Sequence, residues 1–158
     1  MDHIWMTQAL QLAYLANDQD EVPVGAVLVV NDRVIGQAYN QVRHKHDPSA
    51  HAEIEAIRQG CLHLKNERLP GATLYVTLEP CLMCLGVMLQ ARISRLVFGT
   101  RDFRAGAAGS KLNLASGFGA YASIQVDEGI CQAECEQLLT SFFQACRLGC
   151  KAQQMHLQ

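Results

Sequence analysis

Three side chains able to bind a metal ion stand in two short motifs of this chain. His51 opens the tripeptide HAE, and Cys81 and Cys84 belong to the segment EPCLMC at positions 79–84. A structural zinc usually has four protein ligands, whereas a catalytic zinc has three and leaves the fourth position to water or substrate. Because no fourth ligand stands nearby, the pattern predicts one catalytic zinc ion per subunit. Glu53 lies two residues from the imidazole, where it can exchange protons as a general acid and base without being a ligand.

Helix starts are the local structures that would bring these ligands together. Pro80 favours the first position of a helix, and Cys81 and Cys84 would then lie on one face of the first turn. The unpaired N–H groups and the dipole of that turn favour thiolate over thiol. His51 follows the turn-prone residues 47–49 and precedes a helical pattern, so we expect it at a second helix start. Two helix starts that face one another would hold one ion.

Each part of the pattern has an ordinary alternative. A single histidine is more often a surface or hydrogen-bonded group, and Cys81 with Cys84 could be a redox pair, half of a structural zinc site, or two buried apolar residues. A structural zinc in an RNA-binding protein would leave Glu53 and the open fourth position unexplained. A redox pair would also leave His51 unexplained. The combination of the two motifs therefore favours hydrolytic metal chemistry.

His-x-Glu followed by Pro-Cys-x-x-Cys is the signature of the zinc nucleobase deaminases. The chain also carries EVPVGAV at 21–27, HDP at 46–48, TLEPC at 77–81, VFG at 97–99 and GAAGS at 106–110. With these segments it resembles the bacterial tRNA-specific adenosine deaminases from about residue 5 to 150. The resemblance implies a cytidine deaminase-like fold, bound zinc, a homodimer, and a tRNA anticodon stem-loop as partner. It implies conversion of adenosine to inosine at the wobble position of an arginine tRNA with an ACG anticodon.

The same resemblance implies six residues that bind substrate: Asn40, Ala52, Asp102, Arg104, Phe143 and Arg147. The asparagine would hold the target nucleotide, and the two loop residues would contact the flipped nucleotide and its neighbours. The two helix residues would meet the anticodon loop by stacking and by phosphate contact. Without the resemblance, Asn40 would be a turn residue and Phe143 is as well explained by core packing.

Overall charge does not indicate a nucleic-acid binder, because the net charge is -2 and the isoelectric point is near 6.3. Two basic stretches are expected beside the pocket, residues 43–46 and the five cations between Arg92 and Lys111, and they could follow an RNA backbone. The Phe142-Phe143 pair would add aromatic surface. A deaminase of free guanine, cytosine or a nucleoside would share the zinc chemistry and need neither feature. It remains the alternative substrate class.

Length and hydrophobic content predict a single domain over residues 1–158, and hydrophobic periodicity predicts that it is an α/β domain. We predict helices at 3–17, 51–64, 81–90 and from Cys131 to about Lys151, and strands at Val24–Val30, Arg33–Tyr39, Leu74–Leu78, Arg95–Phe98 and Ile124–Val126. Residues 31–32 would close a β-hairpin, and 99–119 would form a functional loop with a short helical piece near Leu112. Strands that follow helices pair in parallel, so we expect a mixed sheet in a three-layer α/β/α sandwich.

Cysteine usage predicts a reducing, cytoplasmic environment. The chain has 7 cysteines, an odd number, and two of them are expected on the metal. Four others, at 131, 135, 146 and 150, recur at helical spacing with Leu139 and Phe142. That spacing predicts the apolar face of the last helix and not a second metal site. No signal peptide, membrane span or membrane partner is expected.

Overall fold

The computed structural model describes residues 1–155, and it describes side chains up to residue 149. The elements in chain order are α1 (Asp2–Asp18), β1 (Gly25–Val30), β2 (Arg33–Tyr39), α2 (Val42–Lys45), α3 (Ala52–Leu64), β3 (Thr73–Leu78), α4 (Leu82–Gln90), β4 (Arg95–Thr100), β5 (Gln125–Glu128) and α5 (Gln132–Met155). Within the described part of the chain, no helix has the length and apolar character needed to cross a membrane.

The five strands form one mixed sheet in the order β2-β1-β3-β4-β5. The β1 strand runs antiparallel to both β2 and β3, whereas β3, β4 and β5 are parallel to one another. Asn31 and Asp32 join β1 to β2 with positive φ angles of 48° and 55°, the backbone that a two-residue hairpin turn requires. The predicted hairpin and the predicted mixed sheet are both confirmed.

Successive strand side chains point to opposite sides of the sheet, and apolar residues lie on both sides. Helices therefore cover both faces. One face packs on α3 and α4 in a cluster that includes Leu28, Leu74, Val76, Ala56, Ile57, Leu85 and Met88. The other face packs on α1 through Val27, Val29, Tyr75, Val97, Met6 and Ala9. The α5 helix lies on the α1 side, where Cys135 and Leu138 contact Leu10 and Ala13. The three-layer α/β/α sandwich is therefore confirmed.

Two glycines let helices approach the sheet closely. A Cβ atom on Gly25 would lie 2.0 Å from the carbonyl oxygen of Ala9 in α1. A Cβ atom on Gly36 would lie 2.1 Å from the carbonyl oxygen of Ala56 in α3. Any side chain at either position would push the helix away from its strand. Gly36 therefore helps to set the position of α3, whose start carries His51.

Two local predictions need correction, and one element was missed. Pro80 is not the first residue of α4, because Cys81 follows it as the N-cap residue in an extended conformation. Cys81 forms a β-bridge with Gly106, and the Pro80 carbonyl accepts a hydrogen bond from the N–H of Ala107 at 2.9 Å. Residues 101–124 contain no helix near Leu112, whose N–H closes a turn onto Gly106 instead. The single-turn helix α2 was not predicted, since one turn is too short to produce a periodic pattern.

The cysteine stripe of α5 is apolar only in its first half. Cys135 is buried, although Leu138 and not Leu139 is the buried leucine beside it. Cys146 is exposed, and the side chain of Cys150 lies outside the described residues. None of the cysteines whose side chains are described forms a disulfide.

An ionic cluster ties the start of α1 to three strands. Arg95 donates two hydrogen bonds to the Asp2 carboxylate at 2.9 and 2.8 Å and a third to Asp127 at 2.7 Å. The Tyr75 hydroxyl donates to Asp2 at 2.8 Å. The bonds from Arg95 lower the pKa of Asp2 to about 2, and burial raises the pKa of Tyr75 to about 12. The cluster therefore favours an ionised Asp2 in the folded state.

We expect Asp2→Asn to lower the free energy of unfolding by about 1–2 kcal/mol at pH 7. This is less than the full pKa shift implies, because the Asp2 side chain keeps 31% of its exposure. A carboxylate whose pKa is lower in the folded than in the unfolded protein stabilises the fold at pH values above the unfolded pKa of 3.8. This stabilisation is lost as the pH falls toward the folded pKa of about 2. Urea titrations should therefore show a difference from the wild type that is full above pH 4 and disappears near pH 2. Asp18→Asn, at the exposed end of α1, is the matched control.

Candidate active site

His51, Cys81 and Cys84 lie together where α3 and α4 begin. His51 and Cys81 are the residues just before the two helices, and Cys84 lies in the first turn of α4. The His51 Nδ1 atom is 3.7 Å from the Cys81 Sγ and 3.4 Å from the Cys84 Sγ, and the two sulfurs are 3.7 Å apart. A tetrahedral ion with bonds of about 2.0 Å to nitrogen and 2.3 Å to sulfur needs separations of roughly 3.5 Å and 3.8 Å. The triangle fits one metal ion, and it is the one such group among the described side chains.

Hydrogen bonds within this group favour the thiolate form of one of the two cysteines. The hydrogen bond with Cys84, followed by that with His51, lowers the pKa of Cys81 to about 4. The same contact with Cys81, together with burial, raises the pKa of Cys84. The pKa of His51 is raised chiefly by its hydrogen bond with Cys81. The protein alone thus favours one thiolate in the pair, and a bound cation would deprotonate the second thiol as well.

Glu53 sits one helical step inside α3 with its carboxylate directed into the same region. The residue is 4% exposed, and its Oε2 atom is buried without a hydrogen-bond partner. Burial raises the pKa of this carboxyl to about 7. A buried polar atom without a partner is unfavourable for folding and uncommon in native structures. The arrangement leaves one carboxylate oxygen available to exchange a proton.

A cavity of about 520 Å³ opens onto these groups. His51, Cys81 and Glu53 line it, together with Glu79 from the segment of Cys81 and with residues from elsewhere in the chain: Asn40, Arg43, Asp102, Phe142 and Phe143. Strand ends, the loop after β4 and α5 therefore all contribute to one site.

Asn40 and Ala52 meet each other at the edge of the cavity. The Asn40 Oδ1 atom accepts from the Ala52 N–H, the first of α3, at 2.8 Å. That bond leaves the amide NH2 group of Asn40 to the cavity, where a ligand acceptor could receive it. Ala52 is fully buried and packs in the core without lining the cavity. A direct contact between Ala52 and substrate stays a prediction.

The other four predicted substrate residues lie at a second cavity, which measures about 900 Å³ and adjoins the first. Its lining includes Asp102, Arg104, Phe143 and Arg147. The Arg104 guanidinium stands 5.3 Å from the centre of the Phe143 ring, a cation–π contact. Phe143 is half-buried at the boundary of both cavities and does not belong to the core clusters. Asp102 uses its Oδ1 atom locally to accept from the N–H groups of Arg104 and Ala105 at 2.9 and 3.2 Å.

The predicted basic stretches are less continuous than expected. Arg95 belongs to the ionic cluster with Asp2 and Asp127, so its predicted place beside the pocket is wrong. Lys45 pairs with Glu55 at 2.6 Å, and Arg92 stacks on Tyr121. Arg43 lines the first cavity, whereas Arg101, Arg104 and Arg147 line the second. The cations near the site form a small cluster and not a band.

Two buried carboxylates beside the cavity were not predicted as site residues. Glu79 is 2% exposed, and its carboxylate accepts hydrogen bonds from the loop after β4. Glu21 is also 2% exposed and accepts from the His44 N–H at 2.8 Å. Glu79 directly follows the apolar strand β3, and Glu21 precedes the apolar run that leads into β1; a charge beside apolar residues was the available sequence signal. Arg43 and Phe142, from the basic stretch and the aromatic pair expected beside the pocket, also line the cavity, as does Cys146, which was expected only on the apolar face of the last helix.

Comparisons with known proteins agree with this geometry. A profile of the MafB19-like deaminase family matches residues 1–147. A tRNA-specific adenosine deaminase of Haemophilus influenzae is 46% identical over 144 residues, which is 90% of this chain and 83% of the relative. A structure from a study of A-to-I editing by tRNA:A34 deaminases superimposes with a TM-score of 0.83 at 44% identity, covering 85% of this chain and 98% of that one. A guanine deaminase of Bacillus subtilis gives a TM-score of 0.62 at 35% identity, with coverages of 68% and 69%.

The fold and the site define a deaminase of the cytidine deaminase-like class. Identity and coverage with the relatives place the chain more narrowly. It belongs to the tRNA-specific adenosine deaminase family.

We expect Cys84→Ala to lower the amount of bound metal by at least about tenfold, because two remaining ligands hold a divalent ion poorly. The matched control is Cys135→Ala, which alters a buried cysteine away from the cavity and should keep the metal content of the wild type. Inductively coupled plasma mass spectrometry of the purified proteins measures both. Equal metal in the wild type and Cys84→Ala would contradict the proposed ligand set.

Proposed function

We propose that this protein binds one zinc ion through His51, Cys81 and Cys84 and hydrolytically deaminates adenosine to inosine at the wobble position of tRNA. The observation that carries the proposal is the partnerless, buried Oε2 atom of Glu53 beside a three-atom ligand group, of which His51 and Cys81 line the cavity. Three ligands are the number found at catalytic zinc sites. Relatives of high identity and coverage are named for the same reaction.

The chemistry follows from what each residue can donate or accept. Bound zinc would supply the positive charge that lets water lose a proton at neutral pH. Glu53 accepts that proton and delivers it to N1 of adenine as the water oxygen adds to C6. Glu53 then transfers the second proton of the same water to the leaving amino group. One water enters, ammonia leaves, and the carboxylate returns to its first state.

The predicted substrate residues divide between the two cavities. The Asn40 amide would hold the target nucleotide beside Glu53, while Arg104, Phe143 and Arg147 would meet neighbouring nucleotides. Stacking on an aromatic ring and a cation near phosphate are the contacts by which proteins hold single-stranded RNA loops. The resemblance of the sequence supports an arginine tRNA with an ACG anticodon as the substrate.

Deamination of a free base is the second candidate, and the likeness to a guanine deaminase favours it. The second cavity is the feature that separates the two candidates. A free base would occupy the space beside Glu53 and make no contact with Arg104, Phe143 or Arg147. We therefore prefer the RNA substrate.

We also propose that the single domain acts as a homodimer in the cytoplasm, where tRNA is available. Leu82 and Met83, next to the ligand Cys81, are 57% and 37% exposed, and apolar exposure beside a functional site suits a subunit contact. Light scattering of the purified protein tests this: a dimer has twice the 17.4 kDa of the chain, and a mass equal to one chain would rule it out.

We expect Glu53→Gln to reduce turnover by about 10³-fold or more while zinc stays bound, because the amide keeps the shape of the side chain and cannot accept the proton. Glu55→Gln is the matched control, since the Glu55 carboxylate pairs with Lys45 and Arg58 away from the cavity. Turnover and zinc content are measured on the same preparations. Loss of zinc in Glu53→Gln would make Glu53 a ligand and remove its proposed role.

The test of the substrate is mass-spectrometric detection of inosine. Zinc-loaded protein is incubated with an arginine tRNA transcript carrying the ACG anticodon, and parallel reactions contain free adenosine, cytosine or guanine. We expect inosine at the wobble position alone and no product from a transcript with G at that position. Untouched tRNA together with deamination of a free base would assign the protein to the second candidate.

A further inference from the structure

The loop after β4, residues 101–124, carries two predicted substrate residues and has no regular secondary structure. Asp102 and Arg104 lie at its beginning, beside both cavities. Backbone N–H groups of such a loop still require partners when they are buried. The partner that several of them share is a single side chain, Glu79.

Glu79 collects four hydrogen bonds from three residues of this loop. Its Oε1 atom accepts from the N–H groups of Ala108 and Ser110, each at 3.0 Å. Its Oε2 atom accepts from the N–H of Asp102 at 3.0 Å and from the hydroxyl of Ser110. An ionised carboxylate offers about four acceptor positions, so this one is filled. Glu79 lines the cavity, yet unlike Glu53 it keeps no free position for proton transfer.

The residues next to Glu79 tie the same loop to the metal site. Pro80 accepts from the Ala107 N–H, and Cys81 forms a bridge with Gly106. A Cβ atom on Gly106 would come within 2.4 Å of the Glu79 carboxylate, so only glycine leaves room for this contact. The tripeptide 79–81 therefore supplies both the anchor of the loop and one metal-binding sulfur.

Asp102 connects Glu79 to Arg104 by hydrogen bonds. Its N–H is held by Glu79, and its own carboxylate holds the N–H of Arg104. The turn so formed carries the Arg104 guanidinium to the Phe143 ring. A continuous set of contacts thus runs from the metal-site segment to the second cavity.

We propose that Glu79 is a positioning residue that fixes Asp102 and Arg104 at a set distance from the metal ligand Cys81 and so sets the affinity for RNA. The inference rests on the proposed function and deepens it, because it names the group that orders the substrate loop. Glu79 exchanges no proton with substrate. Its removal affects the binding of RNA before it affects the chemical step.

The test uses Glu79→Gln in the full-length, zinc-loaded protein. Glutamine has the same shape, but its NH2 group cannot accept from the loop N–H groups. We expect hydrogen–deuterium exchange in residues 101–112 to rise about tenfold or more, with exchange in residues 53–64 unchanged. We expect KM for an anticodon stem-loop RNA to rise about tenfold, kcat to fall less than about threefold, and zinc content to stay constant.

Two further variants sharpen the experiment. Ser110→Ala removes one of the four contacts and should shift exchange and KM in the same direction by about two- to threefold. Glu67→Gln, an equal change of charge at an exposed position, should leave both unchanged. If Glu79→Gln fails to fold, Ser110→Ala carries the test, and unchanged exchange and KM in that variant overturn the inference.

Other outcomes would overturn either the positioning role of Glu79 or the proposed function. Unchanged loop exchange in Glu79→Gln, loss of zinc, or a fall in kcat with constant KM would each overturn the positioning role. A wild-type protein that makes no inosine in RNA would refute the proposed function instead. In that case the exchange measurement alone still confirms or overturns Glu79 as the anchor of the loop.

Discussion

Three atoms that could hold a metal ion come from two separate segments and lie within 3.7 Å of one another, and the centre of the molecule is built around this arrangement. His51 follows β2, the cysteines follow β3, and β1 lies between those strands in the sheet. The gap between the segments is closed by α3 and α4, which pack side by side on one face. Gly36 allows α3 to lie close to β2. The ligand triangle is thus a consequence of strand order and helix packing together.

Three buried carboxylates border the same cavity, and their hydrogen bonds decide what each can do. Glu79 is filled by donors from the loop, and Glu21 accepts from the backbone of α2. Both therefore hold chain segments in place. Glu53 alone has a buried oxygen without a partner, and burial raises its pKa toward neutrality. The carboxylates of Glu21 and Glu79 thus hold chain segments in place, whereas the carboxylate of Glu53 is free for proton transfer.

The substrate side of the site depends on a helix that changes character along its length. Cys135 and Leu138 pack α5 against α1, whereas Phe143 is half-buried and Arg147 is exposed at the second cavity. The first half of α5 holds the helix on the sheet, and its second half extends the aromatic and cationic surface beyond the group of His51, Cys81 and Cys84. Arg104, from the loop after β4, joins that surface with its guanidinium over the Phe143 ring.

The sequence by itself determined the layers of the fold, the three candidate ligands and Glu53, because hydrophobic periodicity and motif spacing are local signals. It did not give the position of Pro80, the pairing of Arg95 with Asp2, or the loop contacts of Glu79. Each of these depends on residues far along the chain, which only the finished sheet brings into reach. Tertiary structure therefore decided which charges hold the molecule together and which face the cavity, since hydrogen-bond partners exist only after the layers have packed.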